Sequence, residues 1–600
     1  MPLRTAFGKW RAKNQELCFW LSFLLLNALL FLPFYLLDLE SSTFLPQLSL
    51  QPDHPVRVLA ELFVRRENAD IFRLSAELLV LVSLWANARR LRGPALRTTI
   101  MLTYIVILVY HIYEGVTISL YKADPAFYNQ YFLARDGIQF LVRHLNISLP
   151  ALLFGSFSLI AVLGAVIALL RTLFRGIAVD ELSRGSRVTL AGLALALALS
   201  GVTAQRAFAQ PESVVSSLFQ KLKANVGESI RLYRDVSAFD DESFRRAYAL
   251  DALQLVEKPN IYLIFIESYG SVLYRRPDYK LAYTALLLEL ESELTAGGWQ
   301  VASTLSESTT WGGGSWLAYT SALFGMQIEA HPQYLALLDR FGDAEEPYPS
   351  LARLLQTQGY HTVWVSSIAE EITDALWQQY RNFFSIETWI RHSQLAYDGV
   401  QYGWGPAPPD QYVLEYARQN IIKPDPRPGF FFFITQNSHF PWQVPPLVAN
   451  WRALLELDPT AQEVDDEEEV PHQALRMAYM NAIEYELRFL TRSVLDTQGE
   501  DALFIFIGDH QPPRVSRRND SFDTPIHIIT RNPRIIAELR SLGFYDGLVI
   551  PDAASGMKHE GLYSLLRYLL AAGYGEEKAA LPAYLPSGVP SVVEDAVDSD

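Results

Sequence analysis

The chain has 600 residues, too many for one ordinary domain, and half of them are apolar, which is high for a wholly water-soluble protein of this size. The net charge of −16 argues against a nucleic-acid binder, because phosphate contacts need clustered Lys and Arg. A single cysteine, Cys18, excludes an intrachain disulfide and a thiolate zinc site.

The apolar excess lies before Gln210. Leu17–Leu37 is an uncharged run long enough to cross a bilayer, and it is too long for a cleavable signal peptide. Ile71–Ala88 is weaker because it contains Arg73 and Glu77, whereas Ile100–Leu120 carries only Glu114. Leu149–Leu170 and Val188–Ala204 complete the set. Three segments are rich in basic residues: Arg4 to Lys13, Arg89 to Arg97, and Arg171 to Arg187. If all five runs span, these segments share one side, the cytoplasmic one, and everything after Ala204 lies outside. Residues 1–209 are therefore expected to form a bundle of about five spans that acts as an anchor, since no intramembrane cluster of charge suggests a transport path. Residues 210–258 read as a linker. Its stretch Val214–Leu232 has helical apolar spacing with Lys221, Lys223 and Arg231 between, which suits either an interfacial helix or one packed on the next domain.

From residue 259 to 575 the texture changes. Ile261–Ile266, His361–Val365, Phe430–Thr435, Leu503–Ile507 and Pro525–Ile529 read as buried strands. Tyr283–Thr295, Ser350–Gly359, Tyr412–Gln419 and Leu475–Leu495 read as helices. The alternation predicts an α/β domain with a mostly parallel central sheet. The acidic run Glu463–Glu469 reads as a solvated loop, and residues 576–600 as a tail.

Ligands of parallel sheets bind beyond the carboxyl ends of the strands. There the first strand offers Glu267, the strand at Phe430–Thr435 runs into Gln-Asn-Ser-His439-Phe-Pro-Trp, and the strand at Leu503–Ile507 ends in Gly-Asp509-His510. A lone Glu or His in such a place is usually a cap or a solvated loop residue. Glu267 together with the pair Asp509 and His510 is instead a ligand set of oxygen and imidazole for a hard divalent metal. Another segment, Ser306 to Gly325, contains Thr309, Thr310, Trp311 and three glycines that lead into Ser315 and a helix expected over Trp316–Leu323. A serine there is most often a plain N-cap, but a helix N-terminus also favours an anion or an alkoxide attacking one. The glycines leave room for close approach of a ligand.

Taken in order, Ile-Glu-Ser, the Gly-rich loop, Ser-His-Phe-Pro and Gly-Asp-His resemble the sulfatase-type domain of lipoteichoic acid synthases and phosphoethanolamine transferases, members of the alkaline-phosphatase superfamily. Those proteins also carry an N-terminal bundle of about five spans. The resemblance implies that Glu267, Ser315, Asp509 and His510 hold one divalent metal, Mn²⁺ or Mg²⁺ before Zn²⁺. It implies that Ser315 is the nucleophile, with Thr310 and Thr309 as alternatives, and that His439, with Trp311 and Gly314, contacts the substrate. It also implies a multi-pass protein of a bacterial inner membrane with a periplasmic or extracellular catalytic domain. The expected reaction moves a phosphoglycerol or phosphoethanolamine group from a membrane phospholipid to an envelope glycan or lipid, through a phospho-serine. The transferases usually use Thr where this chain has Ser315. Sulfatases usually place two Asp at the first strand and mature a Cys or Ser that precedes Pro and Arg. Here one Glu stands at that strand and Leu317 and Tyr319 follow Ser315, so the sulfatase likeness fits the fold better than the reaction. A sulfatase or phosphodiesterase is the second expectation, and an inactive membrane-bound sensor or scaffold the third.

Overall fold

The computed structural model describes the chain apart from residues 1–13, 38–72, 92, 122–123, 145–148, 178–181, 208–214, 240–244, 246, 249–252, 345–346, 368–372, 404–406, 458–471, 498, 517–519, 552–554, 577–579 and 591–600. The basic segment Arg4 to Lys13, the acidic run Glu463–Glu469 and the end of the tail lie outside the described residues. The chain divides into two compact units, with the main boundary along the sequence at residue 230.

The first unit is helical: α1 (Gln15–Leu37), α2 (Ala76–Asn87), α3 (Pro94–Tyr121), α4 (Phe127–His144), α5 (Leu149–Gly176), α6 (Arg184–Ala207) and the start of α7 (Leu218–Ser237). Among the described residues two helices are long and apolar enough to cross a membrane, Gln15–Phe34 and Pro94–Ser119, which corrects the expectation of about five. The weak run is the clearest miss. Its helix α2 has 12 residues, about 18 Å at 1.5 Å per residue, against a hydrocarbon core of about 30 Å. Ser75 caps it and Arg73 is buried beside it, so the run is interrupted where its charges suggested. Leu149–Leu170 and Val188–Ala204 are helical within α5 and α6, but some of their side chains fall outside the described residues. On α3, Leu102, Ile105, Val106, Val109 and Ile112 are exposed at helical spacing, a stripe suited to lipid rather than water. Lys221 of α7 pairs with Glu114 of α3 at 2.5 Å, and Asn225 of α7 accepts from the Phe127 N–H at 2.8 Å. This part of the expected linker is thus packed within the helical unit.

The second unit is built on a nine-stranded sheet. In chain order the strands are β1 (Asn260–Ile266), β2 (Gln300–Glu307), β3 (His361–Val365), β4 (Thr388–Ile390), β5 (Gly429–Ile434), β6 (Ala502–Gly508), β7 (Asp523–Thr530), β8 (Tyr545–Asp546) and β9 (Ser555–Lys558), with α8 (Pro277–Ala296) between β1 and β2. Their spatial order is β8-β2-β7-β6-β1-β5-β3-β4, with β9 paired to β2. From β6 to β4 every pairing is parallel, whereas β7 runs antiparallel to both β6 and β2. The sheet is therefore mixed, and the expectation of parallel strands holds for one side of it only.

The strands of the parallel side are buried on both faces, which is why they read as continuous apolar runs. Alternate residues of β1 serve different cores: Ile261, Leu263 and Phe265 pack on one face, and Tyr262, Ile264 and Ile266 on the other. Register places Phe265 opposite Ile507 of β6 and Ile434 of β5. The carboxyl ends of three neighbouring strands consequently lie side by side.

Candidate active site

Those three strand ends carry the chemistry. Glu267 follows β1, Asp509 and His510 follow β6, and the turn from Thr435 to His439 follows β5. The Glu267 N–H donates to Thr435 Oγ1 at 3.0 Å, which ties the β1 and β5 ends. Asp509 Oδ1 accepts the N–H groups of Ser268 and His510, both at 2.7 Å, which ties β1 to β6. Gly508 is required by this closeness, since a Cβ there would lie 1.9 Å from the Tyr269 carbonyl oxygen.

Across from them the Gly-rich loop delivers Ser315. Gly313 and Gly314 have φ of 69° and 75°, a left-handed backbone that only glycine adopts without strain. Helix α9 runs Ser315–Phe324, with Gly314 as its cap. Ser315 is thus the first helical residue rather than the residue before the helix. The Leu317 N–H is taken by the Gly314 carbonyl at 2.8 Å, so the Ser315 and Trp316 N–H groups form the open helix end.

The Ser315 hydroxyl donates to Glu267 Oε2 at 3.2 Å and lies 3.3 Å from His510 Nε2. His510 Nε2 is 3.6 Å from Glu267 Oε1 and 3.4 Å from Asp509 Oδ2. All of the four expected metal ligands therefore converge on one point. The ligand atoms of Glu267, Asp509 and His510 lie within 4.8 Å of one another.

Four features fit this set to a divalent cation. Asp509 Oδ2 is buried with no donor. His510 Nδ1–H donates to the Gln511 carbonyl at 2.9 Å, which leaves Nε2 as the coordinating nitrogen. Burial, then the neighbouring Glu267, pushes the Asp509 carboxyl up to about 7, a cost that a bound cation would remove. Burial lowers the His510 imidazole, but Asp509, Glu267 and the Gln511 carbonyl outweigh it and raise it overall, drawing a proton to the place a cation would fill.

His439 Nδ1–H donates to the Phe440 carbonyl at 2.6 Å. Burial holds its imidazole below the usual range, and the ring is close enough to feel the charges of His510 and Asp509. Trp311 is buried, and its indole N–H donates to the Asp520 carbonyl at 2.9 Å, so it pins the loop. The hydroxyls of Thr309 and Thr310 are buried with no hydrogen-bond partner, and neither makes the contacts to Glu267 and His510 that Ser315 makes. Residues that sequence reasoning passed over also build the site. His559 bridges Ser306 Oγ at 2.9 Å and the Gly508 carbonyl at 3.0 Å, directly beneath Asp509. Arg514 lies over the Phe440 ring at 4.1 Å, which brings a cation beside the His439 turn. His559 follows a four-residue strand and Arg514 lies in a loop, so neither had a local signal.

Residues 259–537 match the family model described as Sulfatase. Similar solved structures include the lipoteichoic acid synthase LtaP from Listeria monocytogenes, at 13% identity over 56% of this chain and 79% of that one, with a TM-score of 0.36. The C-terminal periplasmic domain of EcEptC from Escherichia coli is similar at 14% identity over 54% of this chain and 84% of that one, TM-score 0.34. The phosphoglycerol transferase GacH from Streptococcus pyogenes, in complex with sn-glycerol-1-phosphate, is similar at 13% identity over 57% and 89%, TM-score 0.33. No curated protein matches the chain. The family match runs from β1 into the helix after β7, and the expected residues at the strand ends lie inside it, so residues 259–537 form a domain that matches the Sulfatase family.

Proposed function

We propose that this chain is a membrane-anchored transferase of phosphoglycerol or phosphoethanolamine, which takes the group from a phospholipid and gives it to a glycan or lipid of a bacterial envelope. The observation that carries the reading is the Ser315 hydroxyl, set at the start of α9 and directed at Glu267 and His510. A serine hydroxyl at that point suits phosphoryl chemistry, whereas a formylglycine would need a maturation pattern that Leu317 and Tyr319 break.

Glu267, Asp509, His510 and Ser315 would hold the cation, Mn²⁺ or Mg²⁺ before Zn²⁺. When bound there it would favour the alkoxide form of Ser315 and neutralise charge on the phosphoryl oxygens. In the first half-reaction Ser315 Oγ bonds to phosphorus as the bond from phosphorus to the diacylglycerol oxygen breaks. The Oγ proton passes to Glu267, its acceptor in the structure, and His439, drawn to its protonated form by the anionic phosphodiester against the effect of burial, gives its Nε2 proton to the leaving oxygen. The N–H groups at the start of α9 stabilise the phosphoryl oxygens. In the second half-reaction an acceptor hydroxyl attacks phosphorus, His439 takes its proton, and Ser315 Oγ leaves and recovers its own. Apolar helices long enough to span, at Gln15–Phe34 and Pro94–Ser119, support a membrane anchor for the chain, which suits a lipid donor.

The test is turnover by the full chain in detergent with vesicles of phosphatidylglycerol or phosphatidylethanolamine. Release of diacylglycerol that depends on metal and on Ser315 is expected. Hydrolysis of an aryl sulfate with no release of diacylglycerol would instead favour the hydrolase reading.

A further inference from the structure

The turn that presents His439 rests on two buried acids. Asp410 is the first residue of α10 (Asp410–Ala417), and Glu486 lies in α11 (His472–Leu495). Both side chains are fully buried. Asp410 Oδ2 accepts the N–H groups of Gln436 and Asn437, each at 2.7 Å, and the Asp410 N–H donates to Asn437 Oδ1 at 2.7 Å. Three bonds thus tie Asp410 to the two residues at the start of the turn. Glu486 faces Asp410 on one side and Ser438 on the other.

Asp410 Oδ1 is buried without a donor, and beside Asp410 the polar neighbours of Glu486 are the N–H and hydroxyl of Ser438. Among the described residues no basic side chain pairs with either acid. The other groups facing the pair are Tyr485, whose hydroxyl accepts the Gln411 N–H at 3.4 Å, and Tyr402 beyond it. Neither is a cation. Two like charges so buried and so close cannot both persist, and one proton shared between them removes the conflict. It supplies the missing donor for Asp410 Oδ1, while the two amide donors on Oδ2 favour Asp410 as the ionised member. Burial raises both carboxyls, and the charge of Asp410 raises Glu486 as well.

Resting on the transferase reading, we propose that Asp410 and Glu486 form a singly protonated carboxyl pair that positions the Gln436–His439 turn, so that His439 meets the leaving oxygen. The pair is a positioning device and does not touch the reacting atoms. For an acid raised in the folded state, stability is greatest below its ordinary value, near 4, and falls as pH rises toward the folded value. Deprotonation of the pair places a second charge under the turn and loosens it, which gives the reaction an alkaline limb.

Infrared difference spectra of the full metal-loaded chain in detergent test the shared proton without substrate. A carboxylic C=O band present at pH 7 is expected to vanish in Glu486→Gln relative to wild type. A Glu486→Gln spectrum that loses no such band would overturn the proposal. The amide introduced by Glu486→Gln supplies a donor at every pH, so turnover is expected within about threefold of wild type at neutral pH and the alkaline limb is expected to disappear. Glu486→Leu leaves Asp410 charged without that donor, and kcat is expected to fall at least tenfold with metal content unchanged. Equal loss in Glu486→Gln and Glu486→Leu would overturn the proposal, and if Glu486→Leu fails to fold, the Glu486→Gln spectrum and pH profile still decide. The infrared result stands whatever the substrate, so failure of the transferase reading and failure of this inference are separable.

Discussion

Replacing Gly508 by Ala tests whether the metal ligands depend on the close crossing of two strand ends. An added Cβ would lie 1.9 Å from the Tyr269 carbonyl oxygen, 2.9 Å from its carbonyl carbon and 3.0 Å from Thr524 Cβ. The first two neighbours are backbone and cannot turn aside. Restoring even a 3.0 Å contact requires the Glu267–Tyr269 segment and the β6 end to part by 1.1 Å. That gap opens between Glu267 on one side and Asp509 with His510 on the other, whose ligand atoms now sit within 4.8 Å of one another. Overpacking of this kind costs about 1–3 kcal/mol of stability. Displaced ligands weaken metal binding by about 10- to 100-fold, and a shift of about 1 Å lowers turnover by about 100-fold. Calorimetric metal titration and thermal unfolding of the full chain read both effects. Gly227→Ala, where a Cβ would meet nothing within 4 Å, serves as the control. Metal affinity in Gly508→Ala within twofold of wild type would refute the reasoning.

Glu267→Ala and Asp509→Ala are each expected to abolish turnover and lower metal occupancy; full activity after exhaustive chelation, with no metal detected, would contradict the site. Thr310→Ala is expected to cost about tenfold or less, because its hydroxyl contacts neither Glu267 nor His510; a loss as large as that of Ser315→Ala would reassign the nucleophile. Burial pushes His559 down to about 4 and His527 down to about 3, so both are neutral in the fold and take up protons on unfolding below about 6.5. Stability should therefore fall as pH drops from about 6.5 toward 4, and His559→Gln should flatten that slope. A Tm that is level between pH 7 and 5 in wild type would count against it.

The parts of the fold that could be read from sequence are those where one residue type does one job. The strands β1, β5 and β6 bury both faces, so Asn260–Ile266, Gly429–Ile434 and Ala502–Gly508 stand out as apolar runs with chemistry at their ends. The strand β2 does not, because its core positions include Ser303 and Ser306, whose buried hydroxyls are met by His527 with the Gly547 carbonyl and by His559. Loop charge suggested a fifth span at Ile71–Ala88, but Arg73 and the Ser75 cap shorten that helix. Asp410 and Glu486 had no signal at all. Seventy-six residues separate them, and each looks like an ordinary helix acid until the β5 turn is placed between them. The position of Ser315 was legible from Gly312 to Gly314, but its place inside the helix depends on the left-handed backbone at Gly314.

The central claim is that Ser315 carries the transferred group. Acid quenching of the full chain during turnover with a phospholipid donor, followed by peptide mass spectrometry, measures this directly. A mass increase equal to phosphoglycerol or phosphoethanolamine is expected on the peptide containing Ser315, absent in Ser315→Ala and dependent on Glu267 and Asp509. An adduct on Thr309 or Thr310, or sustained turnover by Ser315→Ala near the wild-type rate, would contradict it.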